Sequence, residues 1–266
     1  MPDAYTHGHH ASVLTSHGWR TAENSAPHLL PHLRSGLTVL DVGAGPGTIT
    51  ADLAALVAPA AVIGVDAAGD VVEKATALAE DRGIPNLTFE VGDAYALRFD
   101  ADAFDVVHAH QLLQHLTRPV EALREFRRVV RPDGIVSVRE VDYGGTIWFP
   151  QLPALDEWIA VYDAVHRGTS GEPNAGRRLK SWAREAGFDD IASAADVWVF
   201  ETPEDRRWWG SSWAERAVAS SFAEHALALG ATDRAGLERI ADGWREWAEH
   251  PDGWLLMPHA SIVARG

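Results

Sequence analysis
The chain has 266 residues, no cysteine and a formal net charge of −15 at pH 7. That length suits one large α/β domain with room for a cap or insertion, and the missing cysteine excludes a disulfide framework, a thiolate metal site and a cysteine nucleophile. So acidic a balance argues against a nucleic-acid partner, and no apolar run approaches the ~20 residues of a membrane span.

The first 35 residues are polar and rich in histidine (His7, His9, His10, His17, His28, His32), with a helical stretch predicted around Thr21 to Leu33. No basic-then-apolar leader opens the chain, which predicts a cytoplasmic protein. Histidines at 7, 9 and 10 invite a divalent metal, but no carboxylate pattern accompanies them, so no metal is expected. Arginine outnumbers lysine 21 to 2, a bias that fits a GC-rich bacterial genome better than a binding function.

From Gly36 onward the pattern is regular. Leu37 to Leu40 reads as a short buried strand ending at Asp41, followed by the glycine-rich run Asp41-Val42-Gly43-Ala44-Gly45-Pro46-Gly47. Thr48 to Val57 reads as a helix halted before Pro59. Ala61 to Val65 is a second strand ending at Asp66, and Asp70 to Arg82 a helix whose apolar face holds Val71, Val72, Ala75, Leu78 and Ala79. Leu87 to Val91 leads into Gly92-Asp93, and Phe104 to Ala109 into His110-Gln111. Pro119 to Val130 is a helix. Arg131-Pro132-Asp133-Gly134 reads as a type I turn before a fifth strand, Ile135 to Glu140. Helices over Leu152–Arg167 and Arg177–Ala186, a strand over Val197–Phe200, a helical region over 203–250 and a last strand over Leu255–Ala264 complete the order.

Apolar strands alternating with helices predict a parallel sheet covered on both faces. In such sheets ligands bind at the carboxyl ends of the strands. Those ends carry Asp41, Asp66, Asp93, His110 and Glu140. A glycine-rich turn between strand and helix presents backbone N–H groups and a positive dipole end to a ligand, and glycine lets the backbone approach it closely. A dinucleotide fingerprint wants a third, helix-packing glycine, where this chain has Thr48. A Walker-type loop needs Gly-Lys-Ser/Thr, and no lysine is near.

With these residues the chain resembles the class I S-adenosylmethionine-dependent methyltransferases, in particular the ubiquinone/menaquinone-biosynthesis-like group. The resemblance rests on the glycine run, on Asp66 ending the next strand, on Gly92-Asp93-Ala94, on Phe104 to Val107, and on Val129 to Gly134, and covers about residues 37 to 140. It implies a doubly wound, seven-stranded, mostly parallel sheet. An N-terminal cap or lid over 1–35 and a methyltransferase domain over 36–266 are expected, with the 203–250 insertion contributing to the substrate pocket. The implied cofactor is S-adenosyl-L-methionine. Asp41, Gly43 and Gly45 would line it; Asp66 with Ala67 would meet the ribose hydroxyls; Gly92, Asp93 and Ala94 the adenine; His110 and Gln111 the methionine part. An N-terminal segment that folds over the cofactor makes Tyr5, Trp19 and Arg20 lid residues, with Arg20 able to pair with a carboxylate.

Methyl transfer is an in-line displacement that needs alignment above all, and a base only when the nucleophile carries a proton. Candidates at strand ends four and five are His110, His115, Glu140, Asp142 and Tyr143. Of these His115, Glu140 and Tyr143 are the expected catalytic set, with His115 as base. Glu140 alternatively holds a helix dipole. The run Trp208-Trp209-Gly210-Ser211-Ser212-Trp213 reads either as packing or as an aromatic wall for a planar acceptor. Arg177 and Arg178 are possible clamps for an acceptor carboxylate. The expected function is methylation of a small, secondary-metabolite acceptor by a monomer or homodimer. The alternatives are a non-methylating enzyme of the same fold, such as a cyclase, and a non-catalytic cofactor-binding protein.

Overall fold
A computed structural model describes residues 19–265; Tyr5 and the histidines at 7, 9, 10 and 17 lie outside the described residues. Thr21 opens a one-turn helix, α1 (Ala22–Ser25), through reciprocal side-chain and backbone bonds with Asn24, and Ala22 N donates to Asp52 Oδ2 at 2.9 Å. The chain then alternates: β1 (Val39–Val42), α2 (Thr48–Val57), β2 (Val62–Asp66), α3 (Gly69–Asp81), β3 (Leu87–Val91), β4 (Phe104–His110), α4 (Pro119–Val129) and β5 (Val130–Val141). Pro119 sits in the first turn of α4, where a missing N–H costs nothing.

Strand order is β3-β2-β1-β4-β5, all parallel, followed by the antiparallel β8 (Trp254–Arg265), with β7 (Asp190–Phe200) at the far edge. Adjacent residues of the central strands face opposite cores, and both are buried. Val39 and Val106 pack with α1 and α2, while Leu40 and Val107 pack with α4 and α6 (Leu179–Glu185). A strand covered on both faces must be apolar throughout. The order reverses between β1 and β4, and the glycine-rich loop leaves the sheet at that point.

Two expectations need correction. Among the described residues the sheet has eight strands, because Ile147–Phe149 forms an extra strand, β6, against Trp254–Leu256 of β8. The stretch Arg131–Gly134 is a bulge inside β5 instead of a turn before it: Phe104 pairs with Val130, and two residues later Val106 pairs with Ile135. The first seven residues of β7 were not foreseen either.

The remaining helices, α5 (Pro153–Gly168), α7 (Pro203–Ala219), α8 (Ser221–Ala228) and α9 (Arg234–Glu249), share a separate aromatic core above the β7–β8 end of the sheet. Trp158, Trp213, Trp244 and Trp247 are fully buried there, and Trp158 meets Trp213 and Trp244 edge-on at 4.8 Å. Edge-to-face contacts of this kind exceed their area burial by about 0.5–1.5 kcal/mol each. No helix among the described residues is long and apolar enough to cross a membrane.

Candidate functional site
The glycine loop is pinned to β2. Gly43 N and Ala44 N both donate to Val65 O, at 2.7 and 3.0 Å. Gly43, Gly45 and Gly47 all have positive φ. At Gly47 a Cβ would lie 2.6 Å from Phe89 Cζ, and at Gly43 3.0 Å from Leu112 Cδ1. Glycine is therefore required on both sides of the loop, to seat α2 and to leave a cradle above β4. Asp66, half-buried at the end of β2, accepts from Ala68 N at 3.1 Å and Gly45 N at 3.0 Å. Each carboxylate oxygen retains acceptor capacity. Ala67 beside it is exposed. Asp93 is exposed at the end of β3, its Oδ1 held by Tyr95 N at 2.9 Å, between the backbone of Gly92 and Ala94.

Asp41 differs from the other acids. It is buried beneath the loop, where Thr50 Oγ1 donates to Oδ2 at 2.6 Å and His108 Nδ1 lies 3.5 Å from Oδ1. Burial pushes its carboxyl up to about 7, partly opposed by the Thr50 bond. It faces the underside of the cradle and supports it.

On the other side of the switch point the turn Gln111–His115 follows β4. Gln111 has φ +51°; its N donates to Arg139 O at 2.8 Å. Its side chain is a relay: Arg20 Nη2 donates to Oε1 at 2.7 Å, and Nε2 lies 2.9 Å from His259 Nε2. Since His259 Nδ1 sits 3.1 Å from Met257 O, Nδ1 carries the proton and Nε2 accepts from Gln111. Arg20 also lies 5.6 Å over Trp198, while Trp19 packs edge-on to Trp198 at 5.2 Å and against Trp208 at 5.5 Å. The two residues strap the start of the described chain across β7 and the β4 turn. His110 is buried between Trp198 and His259.

Glu140, fully buried, holds the same turn from below: Oε1 accepts from Leu112 N at 2.9 Å and Leu113 N at 2.6 Å. Burial raises its carboxyl to about 8, against the lowering effect of those amides and of Arg20. His115 lies in the 3-10 turn Leu113–His115, nearly buried, its ring 5.1 Å from that of His166. Burial, then the neighbouring His166, holds its pKa well below the usual value. Tyr143 packs on Tyr162 with ring centroids 4.0 Å apart and the planes tilted by 34°, and burial raises its phenol.

Other expected contacts do not form. Asp142 is engaged by Arg177, whose Nε donates to Oδ2 at 2.7 Å, so that arginine is committed to an acid of its own chain, whereas Arg178 is exposed. Trp209 and Trp213 belong to the helical core; of the three tryptophans in that run only Trp208 is partly exposed. Residues not singled out from sequence, His166, His259, Arg139 and Trp198, complete the surroundings. A polar residue on the inward phase of β8 (Leu255, Met257, His259, Ser261) was the available signal for His259.

The residues fit S-adenosyl-L-methionine. A backbone cradle that a Cβ would fill, a half-buried acid for vicinal hydroxyls and an exposed acid one strand further match a nucleoside, and a polar relay at β4 matches an amino-acid tail. Among the described residues no three His, Asp or Glu side chains are grouped to hold a metal.

A strand order reversing at a glycine cradle, with acids on successive strand ends, is the place where α/β sheets of this kind bind their ligands. The comparisons give the family. A family model described as a methyltransferase domain matches residues 33–187, more than half the chain. A methyltransferase of Schizosaccharomyces pombe, described as uncharacterized, is 33% identical over 268 residues, 97% of this chain and 95% of its own. The solved structure of YcgJ from Bacillus subtilis superposes with a TM-score of 0.60 at 19% identity, covering 91% of this chain and 98% of that one. Phosphoethanolamine N-methyltransferase 2 of Haemonchus contortus, solved with S-adenosyl-L-methionine, gives 0.55 at 19% identity over 88% of this chain and 49% of that one. The chain belongs to the methyltransferase family.

The buried groups make a prediction about acid stability. Burial lowers His28 to about 3 and His108 and His166 to about 4, and holds His110, His115 and His259 well below 6.5. Depressed histidines contribute stability present above 6.5 and lost as pH falls toward their folded values. Asp41 and Glu140 are raised to about 7 and about 8, so their contribution is present below their ordinary values and lost as pH rises through 7 to 8. Between pH 6.5 and 4 the six histidines outweigh the two acids. Calorimetric melting should therefore give a maximum Tm near neutrality, a steep fall below pH 6 and a shallower one toward pH 8. A Tm unchanged from pH 7 to 5 contradicts this.

Proposed function
We propose that the protein transfers the methyl group of S-adenosyl-L-methionine in line to a small-molecule acceptor of the secondary-metabolite kind, with His115 as general base. The observation that carries it is the adjacency, across the β4 turn, of the glycine cradle and the His115–His166–Tyr162–Tyr143 ring cluster: Leu112 abuts Gly43 and His115 follows three residues later. In this reading Asp66, with Ala67, takes the ribose hydroxyls, and Asp93, with Gly92 and Ala94, takes the adenine. Gly43 and Gly45 line the donor through their backbone. His110, Gln111 and Arg20 meet the amino-acid end, and Trp19 closes over it. Tyr5 lies outside the described residues and keeps its proposed lid role. When bound, the cofactor supplies an electrophilic methyl on a sulfonium.

The chain's own part is orientation. Alignment of nucleophile and methyl contributes about 7–11 kcal/mol in well-ordered sites. Burial keeps His115 neutral at pH 7, the form that accepts a proton from an acceptor hydroxyl or amine. Tyr143 and Tyr162 pack behind His166 in the helical core, and Glu140 holds the turn that carries His115. The protein is read as cytoplasmic, a monomer or homodimer, with no nucleic-acid partner.

Isothermal calorimetry tests the donor half: S-adenosyl-L-methionine and S-adenosyl-L-homocysteine should bind with micromolar Kd, and Asp66→Ala should weaken both at least about tenfold, the loss of two charge-assisted hydrogen bonds. A metabolite panel with mass-spectrometric detection tests the acceptor half. His115→Ala is expected to keep cofactor affinity and lose turnover by about 10²–10⁴-fold; an unchanged rate removes the base assignment.

A further inference from the structure
We infer that His166, on helix α5 of the helical layer formed by α5, α7, α8 and α9 (hereafter the helical cap), is a positioning residue that locks the His115 turn to that cap and fixes which face His115 presents. This rests on His115 being the base. His166 is fully buried. Its Nε2 lies 2.9 Å from Gln114 O, which also accepts from Glu172 N at 2.9 Å. A carbonyl only accepts, so the proton of His166 sits on Nε2. The remaining nitrogen, Nδ1, is buried without a hydrogen-bond partner among the described residues.

The fit around this bond is tight. A Cβ at Gly171 would come 2.6 Å from His166 Cδ2 and 2.7 Å from Gln114 O. Gly171 N in turn donates to His166 O at 2.9 Å. The His166 ring touches His115 at 5.1 Å on one side and Tyr162 at 5.3 Å on the other.

The turn is thus held at both ends. Glu140, from the sheet, takes the amides of Leu112 and Leu113; His166 and Glu172 N, from the cap, take the carbonyl of Gln114. Moving His115 requires breaking one grip or the other. Since α5 packs in the same aromatic core as Trp213 and Trp244, the seating of the cap and the placement of His115 are one structural event.

The test uses the full chain, ¹⁵N-labelled and saturated with S-adenosyl-L-homocysteine, and needs no acceptor. Long-range ¹H–¹⁵N spectra read the tautomer and titration of each imidazole, with His115→Ala assigning its signals. In the unmodified chain His166 should stay in the Nε2–H form from pH 8 to 5. His166→Phe keeps a ring but no donor, and should move the apparent His115 pKa by about half a unit or more. His166→Gln restores the donor and should return it to the unmodified value. An Nδ1–H tautomer for His166, a His115 titration unmoved by His166→Phe, or equal displacement in both variants would overturn the inference. Should His166→Phe not fold, the tautomer in the unmodified chain decides alone. Absence of cofactor heat in the unmodified chain would sink the methyl-transfer reading and this inference with it, and is seen without any variant.

Discussion

Gly43→Leu is expected to abolish cofactor binding in a protein that still folds. Gly43 has φ +75°, which costs an L-residue roughly 1–2 kcal/mol. Its new Cβ would stand 3.0 Å from Leu112 Cδ1 and 3.2 Å from Leu112 Cβ, so the rest of the leucine must occupy the cradle or push the β4 turn away. Either outcome removes the surface that the donor lies on. Calorimetric titration should give a micromolar Kd for the unmodified chain and no measurable heat for Gly43→Leu. The strain alone should lower Tm by only about 2–8 °C in a domain of this size. Gly83→Ala is the matched control. Gly83 has φ +62° with nothing within 4 Å of a built Cβ, and lies at the far end of α3. It should lose comparable stability and no affinity. If Gly43→Leu binds within tenfold of the unmodified chain, the cradle is not where the cofactor sits.

The sheet was legible in the sequence because a strand buried on both faces has no choice but to be apolar. Val39-Leu40, Val62 to Val65 and Val106-Val107 stand out for that reason, and the helix expected over Thr48–Val57 has those same bounds in the structure. Legibility fails where burial is one-sided or the run is short. Ile147-Trp148-Phe149 is three residues long with two of them exposed, too brief for an alternation to register. The start of β7, Ala192-Ser193-Ala194-Ala195, is exposed and built of small residues with weak strand preference. Its place is set by the eleven-pair ladder with β8, a tertiary fact.

The site divides in the same way. Asp66 and Asp93 follow from strand ends alone. Asp41 sits at an equivalent sequence position, yet Thr50 and His108 enclose it under the loop; only the packed structure distinguishes an acid left open at a strand end from one enclosed beneath the loop. Gln111 was expected at the methionine end, but its coupling to Arg20 and His259 joins residues 91 and 148 positions away. No local pattern encodes such a contact. The tryptophans show the converse. Their clustering was visible, but whether an indole lines a cavity or fills a core depends on neighbours, and Trp158 and Trp244 decide it for Trp213.

Glu140 offers the second large effect, because substitution separates a base from a holder. Its carboxyl, raised to about 8 by burial, is mostly protonated at pH 7 and accepts two amides through one oxygen. Glutamine reproduces that state: a neutral group with a carbonyl oxygen at the same reach. Alanine leaves Leu112 N and Leu113 N buried without an acceptor, at about 1–3 kcal/mol each, and frees the turn that carries His115. Glu140→Ala should therefore lower Tm by several degrees and reduce methylation at least about a hundredfold, as expected when a positioned group shifts by an ångström. Glu140→Gln should stay within about threefold of the unmodified rate at pH 7, since the hydrogen bonds that position His115 persist. The sign with pH follows. The folded chain keeps on Glu140 a proton that the unfolded chain releases above its ordinary value, so stability declines as pH rises toward 8, and Glu140→Gln should flatten that decline. If Glu140 were the base, the glutamine variant would lose as much activity as the alanine one. Paired rate measurements on the two variants, with melting curves at pH 6, 7 and 8, decide between the roles. The expected outcome removes Glu140 as the base and leaves it as the holder of the turn that carries His115.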